Sequence, residues 1–293
     1  MKILVTGGAG FIGSHVVDCY IRDGHQVLVV DDLSVGRLEN VNPRATFHKI
    51  DISDYTALES ILVDFKPEIV NHHAAQIDVR KSVADPIFDA RVNIIGSLNL
   101  MELARRNHSR RFVFSSSGGC VYGESENLPL KENEKLNPLS PYGVAKVTVE
   151  SYLKSYGELF GLEYVILRYS NVYGPRQDEK GEAGVITIFI GRLGEEKPCI
   201  IYGDGKQTRD YVYVSDVVEA NVRAINSPIG IYNIGTGRET TVNELVDILA
   251  EIVGSRVKKI YEKSRSGELS RNCLDISLAK QCLDWRPRID VRE

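Results

Sequence analysis

Short apolar runs alternate with longer amphipathic stretches along the first 170 residues of the chain. Runs of strand length lie at 2–6, 26–30, 46–51, 68–75, 111–116 and 164–169. Stretches with a helical repeat of apolar positions lie between them, at 14–21, 54–65, 86–106 and 141–160. Strands that alternate with helices predict a parallel sheet covered on both faces, and right-handed crossovers make it a doubly wound α/β (Rossmann) fold.

The alternation loosens after about residue 171. Gly174-Pro175 and the polar stretch 177–184 predict a long loop that leaves the first domain. Beyond it, we expect helices at 185–193, 214–225 and 242–253, a strand at 199–202, and a strand at 231–234 that returns to the main sheet. The sequence therefore predicts a Rossmann domain over 1–170, rejoined by 214–235, and a second, smaller α/β substrate lobe over 171–293.

A glycine-rich turn joins the first predicted strand to the first predicted helix. Gly7, Gly10 and Gly13 enclose Phe11 and Ile12, and the glycines at 8, 10 and 13 also fit the spacing G-x-G-x-x-G. Glycine permits a tight turn, close approach to a pyrophosphate and close packing of helix on strand. The helix N-terminus supplies unpaired N–H groups for the phosphates. The sequence predicts that this turn binds a dinucleotide.

Asp31 and Asp32 directly follow the second predicted strand. A carboxylate at this place accepts hydrogen bonds from the ribose hydroxyls of NAD and repels the 2′-phosphate of NADP. Lys2, Arg37 and Arg44 are cations in the neighbouring sequence, and an arginine that reached the 2′ position would reverse the preference. We expect NAD as the cofactor.

Polar and small residues follow the other predicted strands of the sheet, where ligands of doubly wound folds bind. Asp51 and Ile52 are expected to flank an adenine, and Ala74 and Ala75 are small enough for the backbone to approach a cofactor. Serine hydroxyls at 115–117 reach the same edge.

His72 and His73 suggest a metal site at first sight. Adjacent residues of a strand point to opposite faces of the sheet, and no third ligand has the spacing to join them. We expect no metal.

The 293-residue chain carries a formal net charge of −4 and has a sequence pI of about 5.9. These values give no general attraction to nucleic acid or to an anionic membrane, and no apolar run reaches transmembrane length. The five cysteines include no C-x-x-C pair, so neither a disulfide framework nor a zinc site is expected. The composition favours the reducing cytoplasm.

Tyr142 and Lys146 lie four residues apart, on one face of the predicted helix 141–160. A cation beside a phenol favours the ionised form, so an acid with a reference pKa of about 10 can act as a base near neutrality. Taken alone, the pair is common in helices as a packed ring with a solvated amine. Together with a dinucleotide site it predicts acid–base catalysis by Tyr142.

Several motifs together closely resemble those of the extended short-chain dehydrogenase/reductase superfamily. They are T-G-G-A-G-F-I-G-S, S-S-S before V-Y-G, P-Y-G-V-A-K, L-R-Y-S-N-V-Y-G-P-R-Q and T-R-D-Y-V-Y-V, and they span most of the chain. Within the superfamily, the chain is most similar to the UDP-glucose (UDP-galactose) 4-epimerase family. The resemblance implies a bound NAD, a UDP-sugar substrate and a homodimer built from the helices at about 86–106 and 141–160.

The resemblance implies a role for each matching residue near the cofactor. Tyr142 becomes the catalytic acid and base, and Lys146 the residue that lowers its pKa and holds the nicotinamide ribose. Ser117 becomes the catalytic hydroxyl by counting along the strand, although one extra residue before V-Y-G leaves Ser116 as the alternative. Asn93 matches the helix asparagine that supports the site.

Residues of the later motifs are implied at the substrate. Asn171, Arg209 and Arg265 would contact the nucleotide diphosphate, since guanidinium forks match phosphate oxygens. Tyr169, which ends the strand before Asn171, is expected at the cofactor. Asn272 stands where some epimerases carry a bulky tyrosine, which implies room for a 2-acetamido group on the sugar.

The chemistry implied is inversion at C4 of a UDP-hexose through a transient 4-keto sugar. Related 4,6-dehydratases carry Thr-Asp-Glu at the end of the strand, whereas this chain has Ser117-Gly118-Gly119, without the carboxylates that eliminate water. Two alternatives stay open: an NAD-dependent sugar dehydrogenase that releases its ketone, and a non-catalytic nucleotide-sugar binder.

Overall fold

A parallel sheet forms the centre of the protein. The computed structural model describes residues 1–178, 184–254, 256, 258–264 and 269–293. The strands of this part of the chain are β1 (Lys2–Thr6), β2 (Gln26–Asp31), β3 (Thr46–Lys49), β4 (Ile69–His72), β5 (Arg111–Ser117), β6 (Glu163–Tyr169), β7 (Asn171–Tyr173), β8 (Cys199–Tyr202), β9 (Thr208–Arg209), β10 (Tyr211–Tyr213), β11 (Gly230–Ile234), β12 (Thr240–Thr241) and β13 (Lys259–Glu262).

Helices connect the strands and cover both faces of the sheet. They are α1 (Phe11–Arg22), α2 (Tyr55–Phe65), α3 (Val79–Ala84), α4 (Pro86–Ala90), α5 (Gly96–Arg106), α6 (Pro141–Phe160), α7 (Val185–Gly194), α8 (Val214–Ala224), α9 (Val242–Val253) and α10 (Ser277–Cys282), with a π-helical turn at Arg91–Ile95 and a 3₁₀ turn at Leu38–Asn40. Among the described residues, no helix combines the length and the apolar character that crossing a bilayer requires.

The strand order of the sheet is β11-β6-β5-β4-β1-β2-β3, and every neighbouring pair is parallel. The order reverses between β1 and β4, which is where a doubly wound fold opens a crevice at the carboxyl ends of its strands. This arrangement confirms the predicted doubly wound α/β fold, and β11 enters the sheet beside β6 as the apolar run at 231–234 predicted.

Each face of the sheet buries its own apolar layer. Ile3 and Val113 point into the layer shared with α1 and α8, and Leu4 and Phe112 into the layer shared with α2, α5 and α6. Because successive side chains of a strand alternate in direction, strands buried on both faces read as continuous apolar runs. This is why the sheet could be located from the sequence.

A smaller α/β lobe lies beyond β6. It contains the paired strands β7 and β10, β9 and β12, and β8 and β13, together with α7 and α9. Phe189, Ile201, Leu245 and Leu249 belong to its separate apolar core. Thr241 begins α9 with a capping box, in which its hydroxyl accepts from the Glu244 amide and the Glu244 carboxylate accepts from the Thr241 amide.

The C-terminal segment is fixed on α8. The indole Nε1 of Trp285, which is fully buried, donates to the carbonyl oxygen of Asp216 at 2.8 Å. The Asp216 carboxylate accepts from the backbone amides of Arg288 and Ile289 at 3.0 and 3.1 Å. Burial raises the pKa of Asp216, and these two hydrogen bonds oppose the rise.

Three predicted element boundaries were wrong. β3 ends at Lys49, because Asp51 and Asp54 turn the chain: the Asp51 carboxylate accepts from the Ser53 amide, and Asp54 caps α2 by accepting from the Ala57 amide. β4 ends at His72, so 73–75 lie in the following loop. The predicted helix 86–106 is divided into α4, the π-helical turn and α5.

Candidate active site

The turn between β1 and α1 has the geometry of a phosphate-binding loop. Gly7 has φ of 71°, and a Cβ there would lie 2.6 Å from the Ala74 amide nitrogen. A Cβ on Gly13 would lie 2.2 Å from the Gly7 carbonyl oxygen. Gly10 stands at the N-cap of α1 and carries no side chain, so the first amides of the helix, from Phe11 onward, stay available to an anion.

This turn forms one wall of a cavity of about 490 Å³ at the carboxyl edge of β1 and β4. Of the residues expected at the cofactor, the lining contains Gly7, Gly10, Phe11, Ile12, Gly13, Asp31, Asp32, Asp51, Ile52, Ala74, Ala75, Tyr142, Lys146 and Tyr169. Residues that are far apart in the sequence therefore meet at one site of suitable size for a dinucleotide. NAD fits this cavity. Side chains would obstruct the glycine turn, and carboxylates line the same cavity.

Asp31 closes the turn from the β2 side. Its two carboxylate oxygens accept from the amides of Ala9 and Leu33 at 3.0 and 2.9 Å. Burial raises the pKa of Asp31, and the two hydrogen bonds oppose the rise. Asp32, beside it, accepts from both the amide and the hydroxyl of Ser34. Two carboxylates at this end of the cavity disfavour a 2′-phosphate.

A 2′-phosphate would need a nearby cation, and the three cations of the neighbouring sequence occupy different places in the structure. Lys2 begins β1 at the opposite edge of the sheet, where its Nζ lies over the Phe65 ring. Arg37 lines the cavity, but its guanidinium forms an ion pair with Asp178 at 3.1 Å. Arg44 is exposed and lies outside the described lining of the cavity.

Sequence reasoning missed the residues after β7 that close the cavity. Arg176, Gln177 and Asp178 join its lining. The sequence predicts only a loop that leaves the domain, from Gly174-Pro175 and the polar stretch 177–184. Arg176 reaches Asp18 of α1 at 2.8 Å, and Asp178 reaches Arg37. The Gly174-Pro175 pair signalled a turn, but nothing in the sequence indicated its partners.

Tyr142 and Lys146 lie in the first turns of α6. The Ser140 hydroxyl caps this helix by accepting from the Gly143 amide at 3.2 Å, and Pro141 occupies the first helical position. The Lys146 Nζ donates to the carbonyl oxygen of Ser115 at 2.8 Å and lies 5.6 Å from the centre of the Tyr142 ring. Both side chains are buried and line the cavity.

Burial changes the acidity of Lys146. The pKa of its ammonium is lowered to about 8, because removal from water disfavours the charged form. Three acidic groups act in the opposite direction, those of Cys120, Asp89 and Glu150. The site therefore holds a positive charge beside a phenol at neutral pH, which is the arrangement that acid–base catalysis by tyrosine needs.

The serines at the end of β5 divide between two environments. Ser116 donates its hydroxyl proton to the Glu150 carboxylate at 2.6 Å and is buried. Ser115 lies on the other face of the strand, 2.7 Å from His73 Nδ1 and 3.2 Å from the Tyr169 hydroxyl. Ser117 is half-buried at the end of the strand. The lining of the cavity contains Ser115 and Ser116 but not Ser117. The hydroxyl proton of Ser116 is already engaged by Glu150, so Ser116 and Ser117 both stay candidates for the catalytic hydroxyl.

Glu150 belongs to a buried ion pair and lies in the same helix as Tyr142 and Lys146. Its carboxylate accepts from Arg168 Nε at 2.9 Å and Nη2 at 2.5 Å, and both residues are 1% exposed. Arg168 Nη1 also donates to the Tyr122 hydroxyl at 2.8 Å, and Tyr122 donates to Asn233 at 2.7 Å. This network joins α6 to three strands of the structure, and no local sequence pattern indicated it.

Asn93 supports the cavity wall from behind. Its amide group clasps the backbone of Gln76: Oδ1 accepts from the Gln76 amide at 2.8 Å, and Nδ2 donates to the Gln76 carbonyl at 2.9 Å. Asn93 stands in the π-helical turn, a feature that is frequent at functional sites. Gln76, which sequence reasoning did not single out, lines the cavity itself.

The adjacent histidines face opposite sides of the sheet. His72 lies between the Thr6 and Ser97 hydroxyls at 2.7 and 2.8 Å, and burial lowers its pKa well below the usual range. His73 contacts Ser115, and burial lowers its pKa to about 3. Both are therefore neutral, and each has its own hydroxyl partner. Among the described residues, no group of His, Cys, Asp and Glu side chains is arranged around a metal.

The residues expected at the substrate lie outside the described lining of the cavity. Asn171 is exposed and pairs with Tyr211 in the sheet of β7 and β10, two positions from Arg209, so the two expected phosphate ligands lie near each other. Asn272 is fully buried, and its Nδ2 donates to the carbonyl oxygen of Gly118 at 3.1 Å. Arg265 lies outside the described residues.

Asp210 connects the chain beside Arg209 to the segments around Thr236 and Leu274. It is fully buried between Arg209 and Tyr211, and its carboxylate accepts from the amide and hydroxyl of Thr236 and from the amides of Gly237 and Leu274. Burial raises its pKa, and these hydrogen bonds oppose the rise. The aspartate of the R-D-Y motif thus has a structural role that the sequence did not reveal.

Known proteins share this arrangement over the whole chain. A putative UDP-glucose 4-epimerase of Methanocaldococcus jannaschii is 52% identical, with 99% of this chain and 95% of the relative covered. The crystal structure of the Thermotoga maritima UDP-glucose 4-epimerase with UDP-glucose has a TM-score of 0.98 and is 48% identical, with 100% and 96% covered. A UDP-N-acetylglucosamine 4-epimerase from Methanobrevibacter ruminantium, in complex with UDP-N-acetylmuramic acid, has a TM-score of 0.94 and is 40% identical, with 100% and 96% covered.

The family model described as NAD dependent epimerase/dehydratase matches residues 3–235, from the first strand to the end of the last strand of the main sheet. This match contains the glycine turn, the Tyr142–Lys146 pair and Asn93. The chain belongs to the NAD dependent epimerase/dehydratase family.

Proposed function

We propose that this protein is an NAD-dependent epimerase that inverts C4 of a UDP-hexose and interconverts UDP-glucose and UDP-galactose. The observation that carries the proposal is the position of Tyr142 and the Lys146 ammonium in the wall of the cavity that begins at the glycine turn. The activity of the Thermotoga maritima enzyme, which its name gives as UDP-glucose 4-epimerase, supports the choice of substrate.

The residues of the chain carry the proton transfers of this reaction. Tyr142, ionised beside Lys146, removes the proton of the sugar 4-hydroxyl, and we assign to the Ser117 hydroxyl a hydrogen bond donated to the same oxygen. When bound, NAD supplies the acceptor for the hydride from C4 and returns it to the opposite face of the resulting ketone. Tyr142 then gives the proton back to the oxygen. Because the sugar regains both the hydride and the proton, no net oxidation results.

Inversion also requires that the sugar turn while its nucleotide stays in place. We assign Asn171, Arg209 and Arg265 to the diphosphate, with Arg265 assigned from the sequence motif. Asp210 supports this assignment, because its four hydrogen bonds fix the backbone next to Arg209. We assign the Rossmann unit to residues 1–170 with 214–235 and the substrate lobe to the rest of 171–293.

An incubation with UDP-galactose, without added NAD, tests the proposed function. Purified protein should form UDP-glucose with the NAD that it retains, because each turnover returns the bound cofactor to its starting state. A sugar dehydrogenase would accumulate NADH, and only when NAD is supplied. A nucleotide-sugar binder would leave UDP-galactose unchanged in both reactions, and either result would contradict the proposal.

We expect the protein to act on UDP-N-acetylglucosamine as well. Asn272 is smaller than the tyrosine at this position in some epimerases, and a relative of 40% identity carries the name UDP-N-acetylglucosamine 4-epimerase. The variant Asn272→Tyr should lower conversion of UDP-N-acetylglucosamine more than tenfold relative to UDP-glucose, since a tyrosine occupies the space of the acetamido group. The measurement compares the rates of conversion of the two substrates in the variant and in the wild type. The rate with UDP-glucose is the control for folding. Binding of UDP-N-acetylglucosamine by the wild type without conversion would count against the expectation.

We propose a homodimer through the helices at about 86–106 and 141–160, which are α4, the π-helical turn, α5 and α6. Apolar side chains are exposed along this surface, among them Ile87 at 73%, Leu139 at 58%, Val144 at 48% and Leu159 at 70%. Exposed apolar side chains that form a contiguous patch mark protein interfaces, and we infer such a patch from these residues. Sedimentation equilibrium should give twice the chain mass of 32.7 kDa, and Ile87→Glu should shift the protein toward one chain mass. A wild type with the mass of one chain at micromolar concentration would refute the dimer.

We propose the cytoplasm as the location. Cys19, Cys199, Cys273 and Cys282 are free thiols, which are typical of a reducing compartment. Cell fractionation tests this location. Recovery of the protein from an oxidising compartment would contradict the proposal.

A further inference from the structure

Asp89 is a buried carboxylate that the proposed reaction does not use. It is 1% exposed and lies in α4, immediately before the π-helical turn. Its Oδ1 accepts from Gln76 Nε2 and from Asn93 Nδ2, both at 2.9 Å. Its hydrogen-bond partners within the described ranges are thus two neutral amides. Burying a charge in this way is costly unless another charge compensates it.

The two amides connect Asp89 to the cavity. Gln76 lines the cavity and is clasped by Asn93 on both sides of its backbone. Gln76 also donates to the carbonyl of Asp78 and accepts from the Asp78 amide, which fixes the chain that follows Ala75. Asp89 therefore determines how both amide side chains are oriented behind the cavity wall.

Lys146 is the cation next to Asp89 on the side of α6. Asp89 and Ala145, the residue before Lys146, line one pocket between α4 and α6. Burial raises the pKa of the Asp89 carboxyl, and the charge of Lys146 opposes the rise. The titratable groups that face the Lys146 ammonium are Asp89 from α4, Glu150 and Tyr142 from α6, Cys120 from the loop after β5, and His72 and His73 at the end of β4. Both histidines are neutral because burial lowers their pKa. Glu150 is already compensated by the bidentate guanidinium of Arg168.

The remaining carboxylate on this side of Lys146 is therefore Asp89, whose charge no guanidinium neutralises within the described part of the chain. We propose that Asp89 is a positioning residue of the reaction: its carboxylate orients Asn93 and Gln76, and its negative charge keeps Lys146 an ammonium beside Tyr142. The effect of Asp89 on catalysis rests on the proposed function. The electrostatic coupling between Asp89 and Lys146 is a property of the protein alone.

The variant Asp89→Asn separates the charge from the hydrogen bonds. An asparagine oxygen can accept from both Gln76 and Asn93, so the local structure can be kept while the charge is lost. The alkaline limb of kcat/KM against pH should move down by about one pH unit, the low end of what a neighbouring opposite charge contributes. At a pH below the alkaline limbs of both the wild type and the variant, the variant should keep its rate within a few-fold of the wild type.

Asp85→Asn is the matched control for this substitution. Asp85 caps α4 from an exposed position by accepting from the Phe88 amide at 2.9 Å, and asparagine caps a helix equally well. Its pH profile should coincide with that of the wild type. A profile of Asp89→Asn that keeps its limb in place, or that falls by the same factor at every pH, would overturn the electrostatic role.

A second measurement needs no turnover and so remains decisive if the proposed function fails. In protein labelled with 13C-lysine, the Cε resonance of Lys146 can be assigned by its loss in Lys146→Met. Its titration midpoint should be lower in Asp89→Asn than in the wild type by about one pH unit, and unchanged in Asp85→Asn. Equal midpoints in Asp89→Asn and the wild type would refute the inference, whatever reaction the protein catalyses.

Discussion

Replacing Tyr142 by phenylalanine should slow interconversion of UDP-glucose and UDP-galactose by about 10³-fold, within the range that a positioned acid and base contributes. The substitution removes only the hydroxyl, and the buried ring keeps its place in the first turn of α6. The amides and carboxylates at the other end of the cavity are unchanged. The variant should therefore bind NAD and UDP-sugar nearly as tightly as the wild type.

The rate and the bound cofactor must be measured on the same preparation. Epimerisation can be followed by chromatography of the two UDP-sugars, and the cofactor content by absorbance after denaturation. Tyr152→Phe is a suitable control, because Tyr152 lies in the same helix with 40% of its surface exposed. If Tyr142→Phe retains most of the wild-type rate, another group must act as the base.

The variant Glu150→Ala should lower the free energy of unfolding by about 3–5 kcal/mol, the cost of leaving one partner of a buried ion pair alone. Arg168 is 1% exposed, and its Nε and Nη2 would both lose their acceptor. Ser116 would lose the acceptor of its hydroxyl proton as well. These groups have little access to water, so solvent cannot replace the carboxylate.

Urea unfolding monitored by circular dichroism measures this loss. Glu158→Ala, an exposed substitution on the same helix, should stay within about 0.5 kcal/mol of the wild type. The double variant Glu150→Leu with Arg168→Met should recover much of the stability, since neither charge is then left unpaired. A loss below about 1 kcal/mol for Glu150→Ala would show that solvent reaches the pair.

The elements that the sequence predicted best are those with local signals at their ends. α6 was expected at 141–160 and has these bounds, because Ser140 and Pro141 mark its start and Gly161, with φ of 70°, marks its end. The glycine turn was equally local, since its backbone conformation and its contact with Gly13 exclude side chains. Tyr142 and Lys146 could be expected side by side because both residues lie in one helix, and both line the cavity.

Features that depend on distant residues could not be predicted. The π-helical turn inserts its extra residue where Asn93 meets Gln76 and Asp89, and none of these contacts is visible in the periodicity of 86–106. β7, β9, β10 and β12 are two or three residues long, too short for a pattern of alternation. The pairing of Glu150 with Arg168 joins a helix to a strand 18 positions away.

The return of β11 to the sheet has a consequence for synthesis of the protein. Val165 of β6 pairs with Gly230, 65 positions later in the chain, so β6 is an open edge until the ribosome has made β11. At roughly 5–20 residues per second, this delay is about 3–13 s. During that time the nascent chain exposes an unpaired apolar strand, which is a template for aggregation. Protection by a chaperone would be most useful in this interval.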